Sequence, residues 1–310
     1  LGAETGYRRG GNLRLARDER EVAVIRALVE GQRAAGLDLA FLPDLAAVRA
    51  VAPAIGPSIL AASFCPTDGS ADPDMACAAY ATAASRHGAD IREGVKVRNI
   101  LVRGGRVAGV VTDGGETIPA GGVICCAGIH APELLGPLGV ELPLIVKRVS
   151  VLQTVAAPRR FEQVFGVANA DCAGRQEVSG RFRVTNGIGD WPGDPAGWTR
   201  ATLQPSVAEV VELIRLTAQA LPLLLETGIE AVWGGLIDLT PDALPLIDRA
   251  GPDGLVIGAG FSGHGFGIGP VTGTILKRLA LGETAAFDLA PFRAGRFGGL
   301  SGAAALTLHG

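Results

Sequence analysis

The spacing of apolar and polar positions divides the chain into short elements. Residues 9–16 alternate as a strand does. Residues 18–35 are charged on one side and apolar on the other, which predicts a helix that Gly36 can end. A shorter helix is expected over 44–51, after Pro43. Residues 71–88 carry a full set of helix signals: Asp72 to cap, Pro73 in the first position, Gly88 to terminate, and Met75, Ala79 and Ala83 on a face of modest bulk. Strands follow at 96–102 and 106–112, with Gly104-Gly105 as a hairpin turn and a return near Thr117-Ile118. The unbroken apolar run 122–128 predicts a strand buried on both faces, with a short helix from Ala131.

The pattern changes after Leu142. Residues 144–156, 163–168 and 180–185 alternate like strands of an antiparallel sheet. A Gly-, Pro- and Asp-rich loop spans 186–198, a helix with Pro222 in its last turn spans 205–225, and a strand over 229–239 runs into the turn Thr240-Pro241-Asp242. Asp242 reads as a turn former. The tail from 295 is rich in Gly and Ala and is expected to be poorly ordered.

The densest signal is 255–282. Leu255 to Ile257 reads as a buried strand, followed by Gly258, Gly260, Gly263, Gly265, Gly267 and Gly269, and then by helical spacing over 271–281 with Pro270 in its first turn. A strand running through glycines into a helix N-terminus lets a flat or anionic ligand approach unpaired N–H groups. Gly258-Ala-Gly260-Phe-Ser-Gly263 also fits GxGxxG, but a dinucleotide fingerprint should open a βαβ unit with an acidic residue further on, and the chain soon runs out of structure. A nicotinamide-dependent dehydrogenase built on these glycines is the weaker alternative.

Composition narrows the class. With 310 residues, 48% of them hydrophobic, and 45 glycines, the chain is globular and large enough for two lobes. A net charge of −3 without a long basic run argues against nucleic acid or an anionic membrane as partner. No apolar stretch is long enough to span a bilayer, and no secretory signal pattern opens the sequence. The five cysteines, Cys65, Cys77, Cys125, Cys126 and Cys172, form no CxxC; Cys125 and Cys126 are expected as buried thiols on opposite faces of a strand, and a cytoplasmic setting follows. No metal site is indicated.

Three motifs coincide: Thr240-Pro-Asp-Ala-Leu-Pro-Leu-Ile-Asp248, the turn from Gly258 to Pro270, and Asp68-Gly-Ser-Ala-Asp-Pro73 together with Val123 to Gly128. Together they resemble the FAD-dependent D-amino-acid oxidase-like (DAO) family, with its sarcosine oxidases, glycine oxidase, D-amino-acid dehydrogenases and opine oxidase catalytic subunits. The resemblance implies an α/β (α+β) fold. An incomplete FAD-binding Rossmann-like lobe (71–130 and 251–290) would interleave with a mixed or antiparallel-sheet substrate lobe (1–65 and 140–245). Family members begin with a GxGxxG βαβ unit, and roughly the first 80–90 residues of a typical member have no counterpart here. The expectation is weak or absent FAD binding by this chain alone, and the competing reading is a truncated remnant or a non-catalytic partner subunit.

Residue by residue, the resemblance puts Val97 at the adenine ring, Ala127 and Gly128 near the ADP part, and Gly260, Phe261, Ser262, Gly263, His264, Gly265, Gly267 and Ile268 around the isoalloxazine and ribityl chain. His264 is the candidate for catalysis, by flavin contact or proton handling. Covalent-flavin relatives carry a cysteine where this chain has Gly235, which implies non-covalent FAD. A lysine tied to oxygen activation is replaced by Gly267, which favours a dehydrogenase passing electrons to a partner. An arginine that binds substrate carboxylate in glycine-oxidase-like members is replaced by Ile237. Arg148 is a candidate substitute, the other reading being a solvated strand end. Arg181 and Arg183 can point into a cavity or form surface ion pairs, and Trp233 can wall a pocket or fill core. The implied reaction is oxidation of the C–N bond of an amino acid or N-substituted amino acid by hydride transfer to flavin N5.

Overall fold

The computed structural model describes residues 1–195 and 197–297. In chain order the elements are β1 (Asn12–Ala16), α1 (Glu19–Ala34), β2 (Ala40–Leu42), α2 (Leu45–Val51), β3 (Ala61–Cys65) and α3 (Pro73–Arg86). Next come β4 (Val97–Arg103), β5 (Arg106–Thr112), β6 (Thr117–Pro119), β7 (Val123–Cys125), α4 (Ala131–Leu135), β8 (Ile145–Thr154) and β9 (Val164–Val167). Then follow β10 (Cys172–Gln176), β11 (Phe182–Asn186), β12 (Gly189–Asp190), α5 (Arg200–Leu203), α6 (Val207–Ala220), β13 (Ile229–Leu239), β14 (Leu246–Asp248), β15 (Leu255–Ala259) and α7 (Gly265–Ala280). The described residues divide into two compact units, one of residues 1–90, 148–189 and 199–235, the other of 91–147, 190–198 and the chain from 236 on.

The first unit is built on a nine-stranded sheet in the order β12-β8-β11-β10-β9-β1-β3-β2, with β13 also paired to β8. It is mixed, because β1 runs parallel to β9 while its other neighbour, β3, is antiparallel. Period-two alternation sends Leu13, Leu15, Phe165, Val184 and Leu152 to one face, where they form a core with Val48 of α2 and Leu213 of α6. Phe161 and Phe165 meet edge to face at 5.8 Å, and each contributes about 1.5–3 kcal/mol by burial. Helix starts follow local chemistry. Asp18, Asp44 and Asp72 each accept a backbone N–H of the first turn, and Ser206 with Glu209 forms a capping box at α6.

The second unit has two small sheets, β14-β15-β7 and the meander β4-β5-β6. Strand β15 is buried along its whole length. Leu255, Ile257 and Ala259 pack with Ile100, Val107, Ala131 and Leu135, and Val256 packs with Ile275 and Leu276 of α7. Gly258 permits the close approach of α7, since a Cβ there would lie 3.0 Å from Leu276 Cδ1.

Several expectations need correction. Helix α7 starts at Gly265, so Pro270 lies inside it rather than in its first turn; the packing of Thr272, Ile275 and Leu276 outweighs the poor helix propensity of four glycines. Strand β7 has only three residues and forms an edge of its sheet, and Ile124 is 44% exposed on the face that lines a cavity. Cys125 is buried as expected, but Cys126 follows the end of the strand and is exposed. Residues 71–88 fall in the first unit, whereas their sequence grouping was with 91–130. Asp72 N–H donates to Thr5 O, and Arg8 bridges to Ser70. Of the tail from 295, residues through 297 complete a 3-10 turn and the rest lie outside the described residues.

Candidate functional site

Strands β15 and β7 run parallel, with Ile257 opposite Cys125. The turns that follow them, Gly260 to His264 and Ala127 to Gly128, therefore leave the same end of the sheet, the carboxyl end, where open parallel sheets hold ligands. The first turn is tightly fixed. Gly260 has φ +64 and its N–H donates to Asp238 Oδ2 at 2.8 Å. Ser262 is fully buried with φ +51; its N–H donates to Asp238 O at 3.1 Å and its hydroxyl donates to Gly260 O at 3.2 Å. Thr240 N–H donates to Ser262 Oγ at 3.2 Å, and the Thr240 hydroxyl donates to Leu244 O at 2.8 Å. Burial raises Asp238 above the usual aspartate value, and the Gly260 N–H partly opposes this.

His264 is half-buried and sits at the residue before α7 without capping the helix by its side chain; its own N–H donates to Phe261 O at 2.8 Å. The first N–H groups of α7, at Gly265, Phe266 and Gly267, have no partner within the helix and carry its positive dipole end. A Cβ at Gly267 would meet nothing within 4 Å, so the helix start is open. Gly128 opens a 3-10 turn with φ +54, and Ile268 is half-buried one helical step beyond Gly267. Val97 begins β4 beside a bulge and lines a cavity of about 650 Å³ with Ile124, Cys125, Cys126, Ala127 and Trp198. The cavity falls within the size range of ligand pockets. Lys96, His130 and Glu133 give it a polar side, with Lys96 Nζ 3.8 Å and His130 Nδ1 3.9 Å from Glu133. Burial raises the Cys125 thiol above its ordinary value.

These features fit a flavin dinucleotide. A glycine-walled turn, open helix N–H groups and a largely apolar cavity lie in one unit, and a side chain at Gly267 would occupy the open ground before the helix. Among the described residues no cluster of His, Cys, Asp and Glu is arranged to hold a metal.

The candidate arginines are all engaged by partners within the chain. Arg148 points to the helix-covered face of the large sheet, where it is ion-paired with Glu209 and also donates to Gln204 O. Arg181 is bound by Glu230 at 2.5 Å at the surface. Arg183 lies 5.7 Å over the Trp233 ring, donates to Gln153 Oε1 at 3.0 Å and has its Nε 3.0 Å from Glu177 Oε1. Glu177, only 6% exposed, also holds Arg175 at 3.2 Å. All three candidate arginines are thus neutralised within the chain, a fact no single-strand pattern can show. Asp242 is a turn former and an ion-pair partner, accepting from Leu244 N–H and from Arg296. Asp238, which holds the glycine turn, was missed. The only available signal was an acidic residue inside an apolar strand directly before the Thr240-Pro-Asp242 turn.

The FAD dependent oxidoreductase family, DAO, matches residues 1–279, and the chain belongs to it. The chain is 27% identical to the hydrogen cyanide synthase subunit HcnC of Pseudomonas protegens over 256 residues, which is 82% of this chain and 59% of that protein. It is 32% identical to human peroxisomal sarcosine oxidase over 222 residues, 68% of this chain and 56% of that protein. The chain therefore spans a little over half the length of these curated relatives. In structure it resembles L-proline dehydrogenase from P. horikoshii, with TM-score 0.83, 25% identity, and coverage of 95% of this chain and 78% of that one. Glycine oxidase from Geobacillus kaustophilus matches with TM-score 0.84 at 23% identity, covering 96% and 77%. No helix among the described residues is long and apolar enough to cross a membrane.

Proposed function

We propose that this chain forms the larger part of an FAD-dependent oxidoreductase that oxidises the C–N bond of an amino acid or N-substituted amino acid. The observation that carries this reading is the turn Gly260 to His264, which leaves the carboxyl end of a buried parallel strand and feeds the open N-terminus of α7. FAD supplies a two-electron acceptor for the hydride of the substrate's α-carbon, giving an imine that water hydrolyses. Gly260, Phe261, Ser262, Gly263 and Gly265 hold the flat ring system at close range. With FAD bound, the N–H groups at the α7 start would supply positive dipole to negative charge near them. His264, the half-buried imidazole of the turn, would contact the ring system and could hold or move a proton there. Val97, Ala127 and Gly128 hold the adenine-diphosphate end along the cavity. Gly235 leaves no thiol for a covalent link on its strand, and Gly267 stands where oxygen-activating relatives carry lysine. Both favour a non-covalent cofactor and electron transfer to an acceptor other than oxygen.

A partner subunit belongs to this proposal. The relatives named as the HcnC subunit and as sarcosine oxidase subunit beta of Arthrobacter are parts of assemblies by name. The test is to purify the protein from its full reading frame and add D-amino acids, sarcosine, proline and opines anaerobically. A flavin spectrum that bleaches with one substrate is expected. A colourless protein, or a flavin that no amine reduces, overturns the reading.

A further inference from the structure

The turn after β15 is strained, and the end of β13 holds it in that shape. Ser262 has φ +51, a left-handed conformation that disfavours any residue with a Cβ. Such strain persists only where the surrounding bonds over-determine it. Asp238 supplies two of those bonds. Its Oδ2 accepts Gly260 N–H at 2.8 Å, and its carbonyl accepts Ser262 N–H at 3.1 Å. Thr240, the residue after β13, gives its own N–H to Ser262 Oγ at 3.2 Å. Of Asp238, Thr240, Gly260 and Ser262, only Asp238 can gain or lose a proton in the ordinary pH range.

The charged groups on neighbouring elements are engaged elsewhere. Lys147 of β8 is paired with Asp190, and Asp242 with Arg296. Asp248 of β14 accepts from the N–H groups of Arg249 and Ala294. His264, at the far end of the turn, is the remaining titratable group there. None of these sets the Asp238 carboxyl. Burial favours its neutral form, and the N–H groups of Gly260 and of Asp238 itself only partly oppose that. A charged Asp238 is thus a poorly hydrated carboxylate, and opening the turn gives it water; a neutral Asp238 has no such reason to open. The closed turn therefore binds the proton more tightly than the open one. Its advantage is complete below the ordinary aspartate value and is lost as pH rises through the higher value of the closed state.

We infer that Asp238 is a positioning residue with a proton-dependent hold on this turn: with its proton the turn stays closed before α7, and without it the turn opens more often. The consequence for the cofactor rests on the oxidoreductase reading above. The turn is the part of the chain assigned there to the flavin ring system, so FAD affinity falls as Asp238 loses its proton. A purely structural side chain would make no such demand on pH.

The experiment follows amide exchange in the full chain by mass spectrometry, on peptides spanning 259–264, between about pH 4 and pH 8, with rates corrected for the intrinsic effect of pH. In wild type, opening of this segment should rise by up to about tenfold per pH unit above the ordinary aspartate value and then level off. Peptides from the β4–β5 hairpin should show no such rise. Asp238→Asn keeps an acceptor for Gly260 N–H but has no proton to lose, so its exchange should be slow and level across the range. Asp238→Ala removes the acceptor and should exchange fast at every pH; if it fails to fold, Asp238→Asn decides. His264→Gln should keep the wild-type profile. Level exchange in wild type, a rise that survives in Asp238→Asn, or a rise that disappears in His264→Gln would each overturn the inference. Equilibrium dialysis with FAD at about pH 5 and pH 8 tests the cofactor consequence: wild type should bind more weakly at the higher pH, and Asp238→Asn equally at both. FAD affinity that does not follow the exchange profile overturns the positioning role. If exchange depends on Asp238 but no FAD binds at any pH, the cofactor reading fails and the hold on the turn stands. If FAD binds and an amino acid bleaches it while exchange stays level, the inference fails and the reaction reading stands.

Discussion

Gly260→Ala tests the fixed turn most directly. A Cβ at this position would lie 2.4 Å from Thr240 Cγ2 and 2.9 Å from Leu144 Cδ2. Leu144 can yield by rotating, but the Thr240 methyl cannot easily do so. Its hydroxyl is held by Leu244 O at 2.8 Å and lies 3.3 Å from Ser262 Oγ, and Thr240 is completely buried. The backbone adds a second cost, because φ +64 is left-handed and costs a residue with a Cβ about 1–2 kcal/mol. Overpacking adds about 1–3 kcal/mol. The lower entropy of the unfolded chain with alanine offsets about 0.4–1 kcal/mol. The expected net loss is about 2–4 kcal/mol. Urea unfolding with a domain-sized m of about 1–3 kcal/mol/M should show the midpoint fall by about 1 M or more, with m unchanged. Gly267→Ala is the matched control. It has no positive φ and open space around its Cβ, so it should gain about 0.5–1 kcal/mol of helix stability while lowering flavin affinity. A Gly260→Ala midpoint within error of wild type would refute the account of the turn.

Three further outcomes follow from other parts of the structure. Asp238 is raised by burial, so it binds its proton more tightly folded than unfolded. Its favourable contribution is complete below the ordinary aspartate value and is lost as pH rises through the higher folded value. Asp238→Asn keeps an acceptor for Gly260 N–H and should raise the melting temperature at pH 8, with the gain shrinking as pH approaches about 4; a gain that grows in acid contradicts this. Glu177→Ala strips Arg175 and Arg183 of their shared carboxylate and should cost about 3–5 kcal/mol in urea unfolding, an effect absent if the pair is solvated in practice. In maleimide labelling at pH 7, exposed Cys77 should react first, while Cys172, buried and pushed up to about 11, should stay unlabelled until the protein unfolds. Rapid native labelling of Cys172 would show that its strand opens.

Where the signal is local, the sequence reading and the structure agree. Asp18, Asp44 and Asp72 announce their helices because capping is settled within one turn, and Gly104-Gly105 sits at positive φ where the hairpin needs it. Strand β10 was not legible, since Cys172-Ala-Gly-Arg-Gln176 has neither alternation nor β-branched residues and is held by its two neighbours. The start of α7 was misplaced for the opposite reason: glycines that argue against a helix locally are carried into one by Ile275 and Leu276 three turns on. At the site, the glycine turn was readable as a motif. The commitment of Arg148 to Glu209 and of Arg183 to Glu177 was not, because both partners come from other elements.

The parallel pairing of β1 with β9 has a consequence for synthesis. Asn12 meets Val164, and Leu15 meets Val167, across the whole intervening stretch of chain. At translation speeds of about 5–20 residues per second, β1 emerges on the order of ten seconds before the strand it must pair with. During that interval Leu13 and Leu15 have only β3 to lean on, and one edge of their ladder is bare. The meander β4-β5-β6, whose partners are sequence neighbours, can close as it leaves the ribosome. The nascent chain therefore carries a finished hairpin ahead of an unfinished sheet, and its exposure to misassembly is concentrated before residue 167 is made.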